Sequence, residues 1–282
     1  MSPAPTLLAP LGRCRVMGVV NVTPDSFSDG GRWFGTERAV ARGHELAAAG
    51  ADVIDVGGES TRPGALRVDA EEEARRVVPV VRELAAAGIA CSVDTMRAAV
   101  AEQALEAGAE LVNDVSGGRA DPHMTRLVAE AGAPFVVMHW RGHSEGMQTL
   151  THYDDVVADV IAELSSQVDD ALAAGIAEDR VVLDPGLGFS KTGEHNWTVL
   201  AALDRFAALG RPLLVAASRK RFLGELLAAD DELRDADHRE DATVAVSTVA
   251  ARAGAWAVRV HEARPSADAV RVVARLAQEE SA

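Results

Sequence analysis

Residues that stabilise small secreted proteins are scarce in this sequence. Only two of its 282 residues are cysteines, Cys14 and Cys91, and each lies in an apolar run. Because the sequence contains no CxxC pair, it indicates neither a disulfide framework nor a zinc site. We therefore predict that both cysteines are small, buried apolar side chains.

Long hydrophobic runs are missing as well. No segment approaches the roughly 18 uncharged apolar residues that a transmembrane helix needs, and the N-terminus lacks the basic region of a signal peptide. We predict a cytoplasmic protein without a membrane partner. Residues 1–13, which include several prolines, are predicted to form a flexible leader, and residues 14–282 a single domain.

Positive charge is in deficit. Lysine and arginine number 28 against 43 aspartates and glutamates, which gives a formal net charge of -15. A chain this acidic repels phosphate backbones, so nucleic acid is not an expected partner. An anionic substrate would have to be held by a local cluster of cations, which should stand out against the acidic background.

Aromatic residues make up only 4% of the chain, whereas hydrophobic residues make up 48%. Apolar residues are concentrated in eight short runs, most of them rich in valine, isoleucine and leucine, a pattern typical of parallel strands that are buried on both faces. The predicted strands are Arg15–Val22, Ala51–Gly57, Ile89–Thr95, Glu110–Val115, Pro134–Trp140, Arg180–Pro185, Pro212–Ala217 and Ala255–His261.

Helical patterns follow the strands, and most end at a glycine, a residue that commonly terminates helices. The clearest are Thr36–Ala49, Asp69–Ala87, Met96–Ala107, Asp154–Ala174 and Asp241–Ala253. Eight strand–helix cycles in one α/β domain favour a closed (β/α)8 TIM barrel, which typically needs about 250 residues. An open, doubly wound sheet is the alternative.

Every predicted strand carries or is closely followed by a polar residue. These residues are Asn21, Asp55, Asp94, Asn113, His139, Asp184, Lys220, and Arg259 with His261. Any one of them could cap a helix or hold a turn. In a TIM barrel, however, all of them would converge on one mouth, where such barrels place their active sites.

One group of these residues suits a flat heterocycle. Asp94, Asn113, Asp184 and Lys220 combine acceptors with donors, and a carboxylate can accept hydrogen bonds from two adjacent N–H groups. We therefore predict a ligand with an edge of N–H donors and a ring carbonyl or nitrogen.

A second group suits an anion. Arg62, Arg259 and His261 are cations predicted to lie near Asn21, and they fit a diphosphate or its magnesium complex. Arg259 and His261 are two residues apart on the last strand, so both should face the barrel interior. The alternative for Arg259 is a structural ion pair with Asp55 or Glu59.

Seven segments that contain these residues resemble the motifs of the dihydropteroate synthase family. They are Asn21–Gly31, Asp55–Gly64, Ser92–Thr95, Asn113–Gly117, Asp184–Gly186, Ser218–Lys220 and Arg259–His261. They follow one another in register, each at a predicted strand end, over most of the chain. The resemblance implies that the chain joins a dihydropterin pyrophosphate to p-aminobenzoate, with Mg²⁺ as cofactor, and that it forms a homodimer.

The resemblance also implies a role for each matching residue. The pterin would be bound by Asp94, Asn113, Met138, Asp184, Phe189 and Lys220. The pyrophosphate would be bound by Asn21, Thr61, Arg62, Arg259 and His261, and Asn21 would also bind Mg²⁺. The p-aminobenzoate would contact Phe27, Pro63, Arg219 and Arg221, and the catalytic residues would be Asn21, Asp94, Lys220 and Arg259.

At one position the sequence departs from the family pattern. Many members have a serine directly after the motif lysine, where it contacts the carboxylate of p-aminobenzoate, but here the residue is Arg221. Arg221, a backbone N–H group at the N-terminus of the following helix, or a water molecule could take that role. The sequence leaves these three possibilities open.

Two other functions would use a similar pterin-binding barrel. A corrinoid-linked pterin methyltransferase would share the Asp, Asn and Asp pterin ligands, but it would not need the polar loops at 23–31 and 61–64 or the cations Arg259 and His261. A non-catalytic relative would be expected to have lost some of these residues, and all of them are present.

The expected role of Asp184 generates a first prediction. Asp184→Asn keeps the shape of the side chain but replaces an acceptor oxygen with a donor, which would face the N–H edge of the pterin. A buried unpaired donor costs about 1–3 kcal/mol, so pterin affinity should fall roughly tenfold or more. Calorimetric titration with a pterin analogue measures this, and unchanged affinity would make Asp184 a turn residue only.

Overall fold

The architecture is built from strands whose residues are buried on both faces. The computed structural model describes residues 6–23, 32–59, 68–142, 150–230 and 232–280. Within these residues all strand pairs are parallel. The strands are β1 (Arg15–Asn21), β2 (Val53–Gly57), β3 (Cys91–Asp94), β4 (Leu111–Asp114), β5 (Phe135–Met138), β6 (Val181–Asp184), β7 (Leu214–Val215) and β8 (Ala257–Val260).

Helices connect successive strands and cover the outside of the sheet. They are α1 (Arg32–Ala48), α2 (Ala70–Ala86), α3 (Ala98–Glu106), α4 (Met124–Ala131), α5 (Val156–Ala173), α6 (Gly193–Ala201), α7 (Leu203–Ala207), α8 (Arg221–Leu226), α9 (Glu240–Arg252) and α10 (Ala263–Glu280). The predicted helices agree with α1, α2, α3, α5 and α9 to within a few residues at each end. Within the described residues, no helix is both long enough and apolar enough to cross a membrane.

The sheet curls into a barrel. Its strand order is β6-β5-β4-β3-β2-β1-β8-β7, and a parallel bridge between Leu183 and Leu213 joins β6 to the segment that leads into β7. The predicted (β/α)8 barrel is therefore confirmed over the open, doubly wound sheet. Its consequence for function is that the C-terminal ends of all the strands lie at one mouth.

The core has two parts. The larger part packs the outer faces of the strands against the helices. The smaller part comprises Leu7, Met17, Val53, Leu111, Val136, Val182, Leu214, Trp256 and Ala257, which fill the barrel below its polar mouth. Leu7 belongs to the predicted leader, and a flexible leader does not account for its burial in this group. The domain boundary at residue 14 stays a prediction.

Two segments in the second half of the chain are folded differently from a simple strand and loop. The predicted strand Pro212–Ala217 is reduced to Leu214–Val215, and after it Arg219 lies in the left-handed region at φ 59°. The segment that precedes α9 contains a short 3-10 helix and the buried Arg239. Arg239 donates hydrogen bonds to Arg234 O and Arg219 O and so attaches this segment to the barrel.

Candidate active site

The C-terminal ends of the strands bring the predicted polar residues to one mouth. Asn21, Asp94 and Asp184 are the last residues of β1, β3 and β6, and Asn113 is the penultimate residue of β4. His261 directly follows β8. The expectation that these side chains converge from different strands therefore agrees with the fold.

A hydrogen-bonded network joins four of the strands at the mouth. Arg259 Nε donates to Asp55 Oδ2 at 2.6 Å, and a terminal nitrogen of Arg259 donates to Asp94 Oδ2 at 2.6 Å. Asn113 Nδ2 donates to Asp55 Oδ2 at 2.9 Å. One guanidinium thus lies between two buried carboxylates, and an amide completes the group.

This network changes the argument for Arg259 as an anion ligand. A buried arginine needs a compensating negative charge, and Asp55 and Asp94 already supply it. Burial disfavours the charged form, and the two carboxylates more than offset this and raise the pKa of Arg259. The ion pair with Asp55 that the sequence offered as an alternative is present, while Glu59 pairs with Arg97 at 2.6 Å. The role of Arg259 toward pyrophosphate stays a prediction.

The pKa of the Asp94 carboxyl is raised toward neutral pH. Burial raises the pKa of Asp94 to about 7, although Arg259 opposes the shift. Asp55 adds to the rise because it is a second carboxylate on the same guanidinium. The charge of Asp94 therefore depends on what else occupies the mouth.

A second group lies across the mouth, around the loop that follows β6. Asp184 Oδ1 accepts a hydrogen bond from Gly186 N at 2.7 Å. Burial raises the pKa of Asp184, and the positive charge of Lys220 opposes this. Lys220 Nζ donates to Leu187 O and lies 4.8 Å from the centroid of the Phe189 ring. Burial lowers the pKa of Lys220 to about 8.

Apolar side chains accompany this second group. Met138, the last residue of β5, is buried and pairs in register with Asp184. Phe189 is partly exposed and lies under the Lys220 ammonium. Such a combination of an acid, a cation and two apolar side chains is typical of a pocket for a flat, polar ring.

His261 and Asn21 lie at the ends of the neighbouring strands β8 and β1. Ser218 Oγ is 2.9 Å from His261 Nδ1 and also accepts a hydrogen bond from His261 N at 3.2 Å. These contacts link the end of β8 to the segment after β7. Asn21 is partly exposed, and its Cα pairs in register with Gly57.

The two predicted p-aminobenzoate ligands that the structure describes have acidic partners. The guanidinium of Arg219 pairs with Asp237, Glu240 and Glu262 at 2.9, 3.5 and 3.3 Å. Arg221 is exposed and pairs with Glu225 at 2.8 Å along α8. Phe27, Thr61, Arg62 and Pro63, like most of the two predicted loops, lie outside the described residues.

Two buried charged residues were missing from the predicted site. Asp55 was noted on its strand but assigned no ligand role, and it is fully buried between Arg259 and Asn113. Lys191 is 6% exposed and contacts His139 beneath the loop after β6. In the sequence, the feature that could have indicated Lys191 is its position at the end of a glycine-rich loop in an acidic chain.

The raised pKa of Asp94 predicts a pH-dependent contribution to stability. Its pKa is about 7 in the folded chain, against an ordinary value of 3.8 for an exposed aspartate. Folding therefore retains a proton that unfolding releases, and the free energy of unfolding falls as pH rises between these values. Asp94→Asn removes this component, so the stability of the wild type relative to the variant should decline from pH 4 to pH 7.

Urea titrations at intervals across this pH range measure the effect. The exposed Asp170, which pairs with Arg119 at the surface, offers a control in Asp170→Asn. The control should follow the wild-type profile. Parallel stability curves for wild type and Asp94→Asn would contradict a raised pKa at Asp94.

Comparison with known proteins agrees with the motifs and the barrel. The family described as pterin binding enzyme matches residues 17–261. The dihydropteroate synthase of Mycobacterium leprae is 57% identical over 268 residues, which cover 94% of this chain and 93% of that protein.

Solved structures give the same result. A dihydropteroate synthase of Xanthomonas albilineans with 4-aminobenzoic acid superposes with a TM-score of 0.86 at 45% identity, covering 94% of this chain and 93% of that one. The Xanthomonas albilineans enzyme in complex with 7,8-dihydropteroate gives a TM-score of 0.84 at 42% identity, with 95% of each chain covered. The chain belongs to the dihydropteroate synthase family of pterin-binding enzymes, as its motifs indicated.

Proposed function

We propose that this chain transfers the dihydropterin-methylene group of 6-hydroxymethyl-7,8-dihydropterin pyrophosphate to the amine of p-aminobenzoate. The products are 7,8-dihydropteroate and pyrophosphate, so the chain is a transferase of folate synthesis. The observation that carries the proposal is that two polar groups lie at one mouth. One consists of Arg259 with Asp55 and Asp94. The other consists of Asp184 and Lys220.

The pterin is proposed to bind between these two groups. The carboxylate of Asp184 accepts from the N–H edge of the pyrimidine ring, and Lys220 Nζ donates to a ring carbonyl or nitrogen. Asn113 is held by Asp55 and presents its amide from the adjacent strand. Met138 and Phe189 pack against the ring. The bound pterin is thereby fixed in orientation before reaction.

The order of bond changes follows from the weakness of arylamine nucleophiles. The bond from the methylene carbon to the pyrophosphate oxygen breaks first, and the electron pair leaves with pyrophosphate. A resonance-stabilised cation remains on the pterin, and the carboxylate of Asp94 stabilises it. The amine nitrogen then forms the new bond, and the proton of the resulting arylammonium passes to water or to the released pyrophosphate. For this role Asp94 must be ionised, which Arg259 favours.

The pyrophosphate is assigned to the rim that carries Asn21, Arg259 and His261. The family resemblance adds Thr61 and Arg62 as further ligands. Binding of a multiply charged anion beside Arg259 requires that its guanidinium be shared with the carboxylates of Asp55 and Asp94. The p-aminobenzoate is assigned to the outer side of the mouth, with Phe27, Pro63, Arg219 and Arg221.

Asn21, partly exposed at the end of β1, is the ligand that we propose for a magnesium ion brought by the substrate. In the described part of the chain no three His, Cys, Asp or Glu side chains are grouped to hold a metal. Mg²⁺ commonly takes few protein ligands and completes its shell with phosphate oxygens and water. Asn21 would supply an amide oxygen, and the ion would act as a Lewis acid that stabilises the departing pyrophosphate.

Other properties implied by the family stay proposals. A homodimer and a cytoplasmic location agree with the resemblance, and neither a nucleic acid nor a membrane partner is proposed. The methyltransferase and non-catalytic alternatives are not favoured, because several relatives that match most of the chain carry the name dihydropteroate synthase.

Direct assay tests the proposed reaction. The purified chain is incubated with the pterin pyrophosphate, p-aminobenzoate and Mg²⁺, and dihydropteroate is measured by chromatography. We expect product formation that chelation with EDTA abolishes and added Mg²⁺ restores. Pterin binding without product would indicate the non-catalytic alternative, and methyl transfer from a methylated pterin to a corrinoid would indicate the methyltransferase.

The position of Arg259 predicts a difference between two ligands. Arg259→Gln should lower the affinity for the pyrophosphate substrate at least roughly tenfold more than the affinity for 6-hydroxymethylpterin, which lacks the pyrophosphate. The reason is that hydrogen bonds to charged groups contribute about 1.5–3 kcal/mol. The variant should also melt at a lower temperature, because it leaves buried carboxylates without a counter-charge. Calorimetry with both ligands measures the difference. Equal losses for the two would assign Arg259 a structural role alone.

A further inference from the structure

A buried lysine beneath the loop after β6 is not accounted for by the proposed reaction. Lys191 is 6% exposed, and its ammonium makes three hydrogen bonds. Nζ lies 2.9 Å from His139 Nδ1, and it donates to Gly186 O at 3.1 Å and to Phe189 O at 3.3 Å. All three donors of the ammonium are therefore used, and none of these partners is a carboxylate.

The state of His139 follows from its two polar neighbours, Glu163 and Lys191. Glu163 Oε2 is a carboxylate oxygen 3.0 Å from His139 Nε2 and can only accept, so the ring proton lies on Nε2. His139 Nδ1 therefore accepts from Lys191 Nζ. Burial lowers the pKa of His139 to about 4, in agreement with a neutral ring. Arg141 pairs in turn with Glu163 and holds it in place.

The loop above Lys191 has an unusual backbone. Gly186, Gly188 and Ser190 have φ angles of 68°, 79° and 47°, all in the left-handed region. At Ser190, which is not a glycine, this conformation is strained and must be imposed by its surroundings. Tyr153 donates to Ser190 O at 2.8 Å, and Lys191 holds two other carbonyls of the same loop. The loop is thus fixed from beneath by side chains.

The same loop also contacts Lys220, which belongs to the proposed pterin pocket. Lys220 Nζ donates to Leu187 O and lies over the Phe189 ring. A Cβ atom at Gly188 would lie 2.9 Å from the Lys220 side chain, and one at Gly186 would lie 2.5 Å from His139 O. The loop therefore packs closely against His139, directly after β5, and against Lys220. A change in the path of its backbone would move Lys220.

We propose that Lys191 is a positioning residue for pterin binding. From beneath the loop it holds the carbonyls of Gly186 and Phe189, and this sets the places of Leu187 O and the Phe189 ring. Those two groups hold the Lys220 ammonium toward the pterin. The proposal rests on the proposed function, because it assigns the pocket at Lys220 to the pterin. Lys191 itself touches neither substrate.

The proposal separates the two substrates. Lys191→Met removes the ammonium and leaves two buried carbonyls without a donor, so the loop should relax and Lys220 should lose its position. The KM for the pterin pyrophosphate should rise roughly tenfold or more, whereas the KM for p-aminobenzoate should change by less than about twofold. Lys191→Gln, which keeps a polar group but cannot satisfy three acceptors, should give a smaller rise in the same direction.

A matched control separates positioning from stability. Ser247→Ala breaks a buried hydrogen bond between the hydroxyls of Ser247 and Ser266, in helices α9 and α10, at 3.1 Å. It should lower the melting temperature without changing either KM. A Lys191 variant that lowers the melting temperature and leaves the pterin KM unchanged, or raises both KM values equally, would overturn the proposal. Failure of both Lys191 variants to fold would also overturn it, in favour of a purely structural role.

A binding measurement separates this proposal from the proposed function. Calorimetric titration with 6-hydroxymethylpterin should show the same roughly tenfold loss in Lys191→Met. If the wild type forms no dihydropteroate, the proposed function fails, while the titration still reports on Lys191. If the wild type is active and the titration shows equal affinity for wild type and variant, the positioning role alone fails.

Discussion

The mouth of the barrel depends on one guanidinium that lies between two buried carboxylates. Arg259 ties β8 to β2 through Asp55 and to β3 through Asp94, and Asp55 in turn holds Asn113 on β4. Removing one partner from such a group leaves an uncompensated buried charge, which is strongly destabilising. Arg259 therefore allows both carboxylates to be buried and fixes their geometry.

The other side of the mouth follows the same principle with lysines. Lys220 and Lys191 contact different carbonyls of one loop, and burial lowers the pKa of the first to about 8 and of the second to about 7. In a low dielectric each of these hydrogen bonds is strong, and each would be costly to leave unmade. Charges placed before the ligand arrives need little reorganisation during reaction, which is the form of stabilisation that the proposed cationic intermediate requires.

The sequence predicted what depends on local pattern. Apolar runs located the eight strands, and polar residues at their ends located Asp94, Asn113, Asp184 and Lys220. It could not choose between partners for Arg259, because Asp55 lies 204 residues away and the two strands meet only through their pairing with β1. Lys191 was missed for a related reason, since its contact with His139 joins the ends of two adjacent strands.

Arg219 shows why a motif match does not by itself place a side chain at the site. Adjacent residues in Ser218–Lys220 cannot all face the mouth, and the left-handed backbone at Arg219 separates their directions. Lys220 faces inward to Leu187 O, whereas Arg219 meets three carboxylates of the outer segments, including Glu262 after β8. These three carboxylates therefore fix the position of the Arg219 guanidinium. A p-aminobenzoate carboxylate that uses Arg219 would have to compete with these acids for its guanidinium.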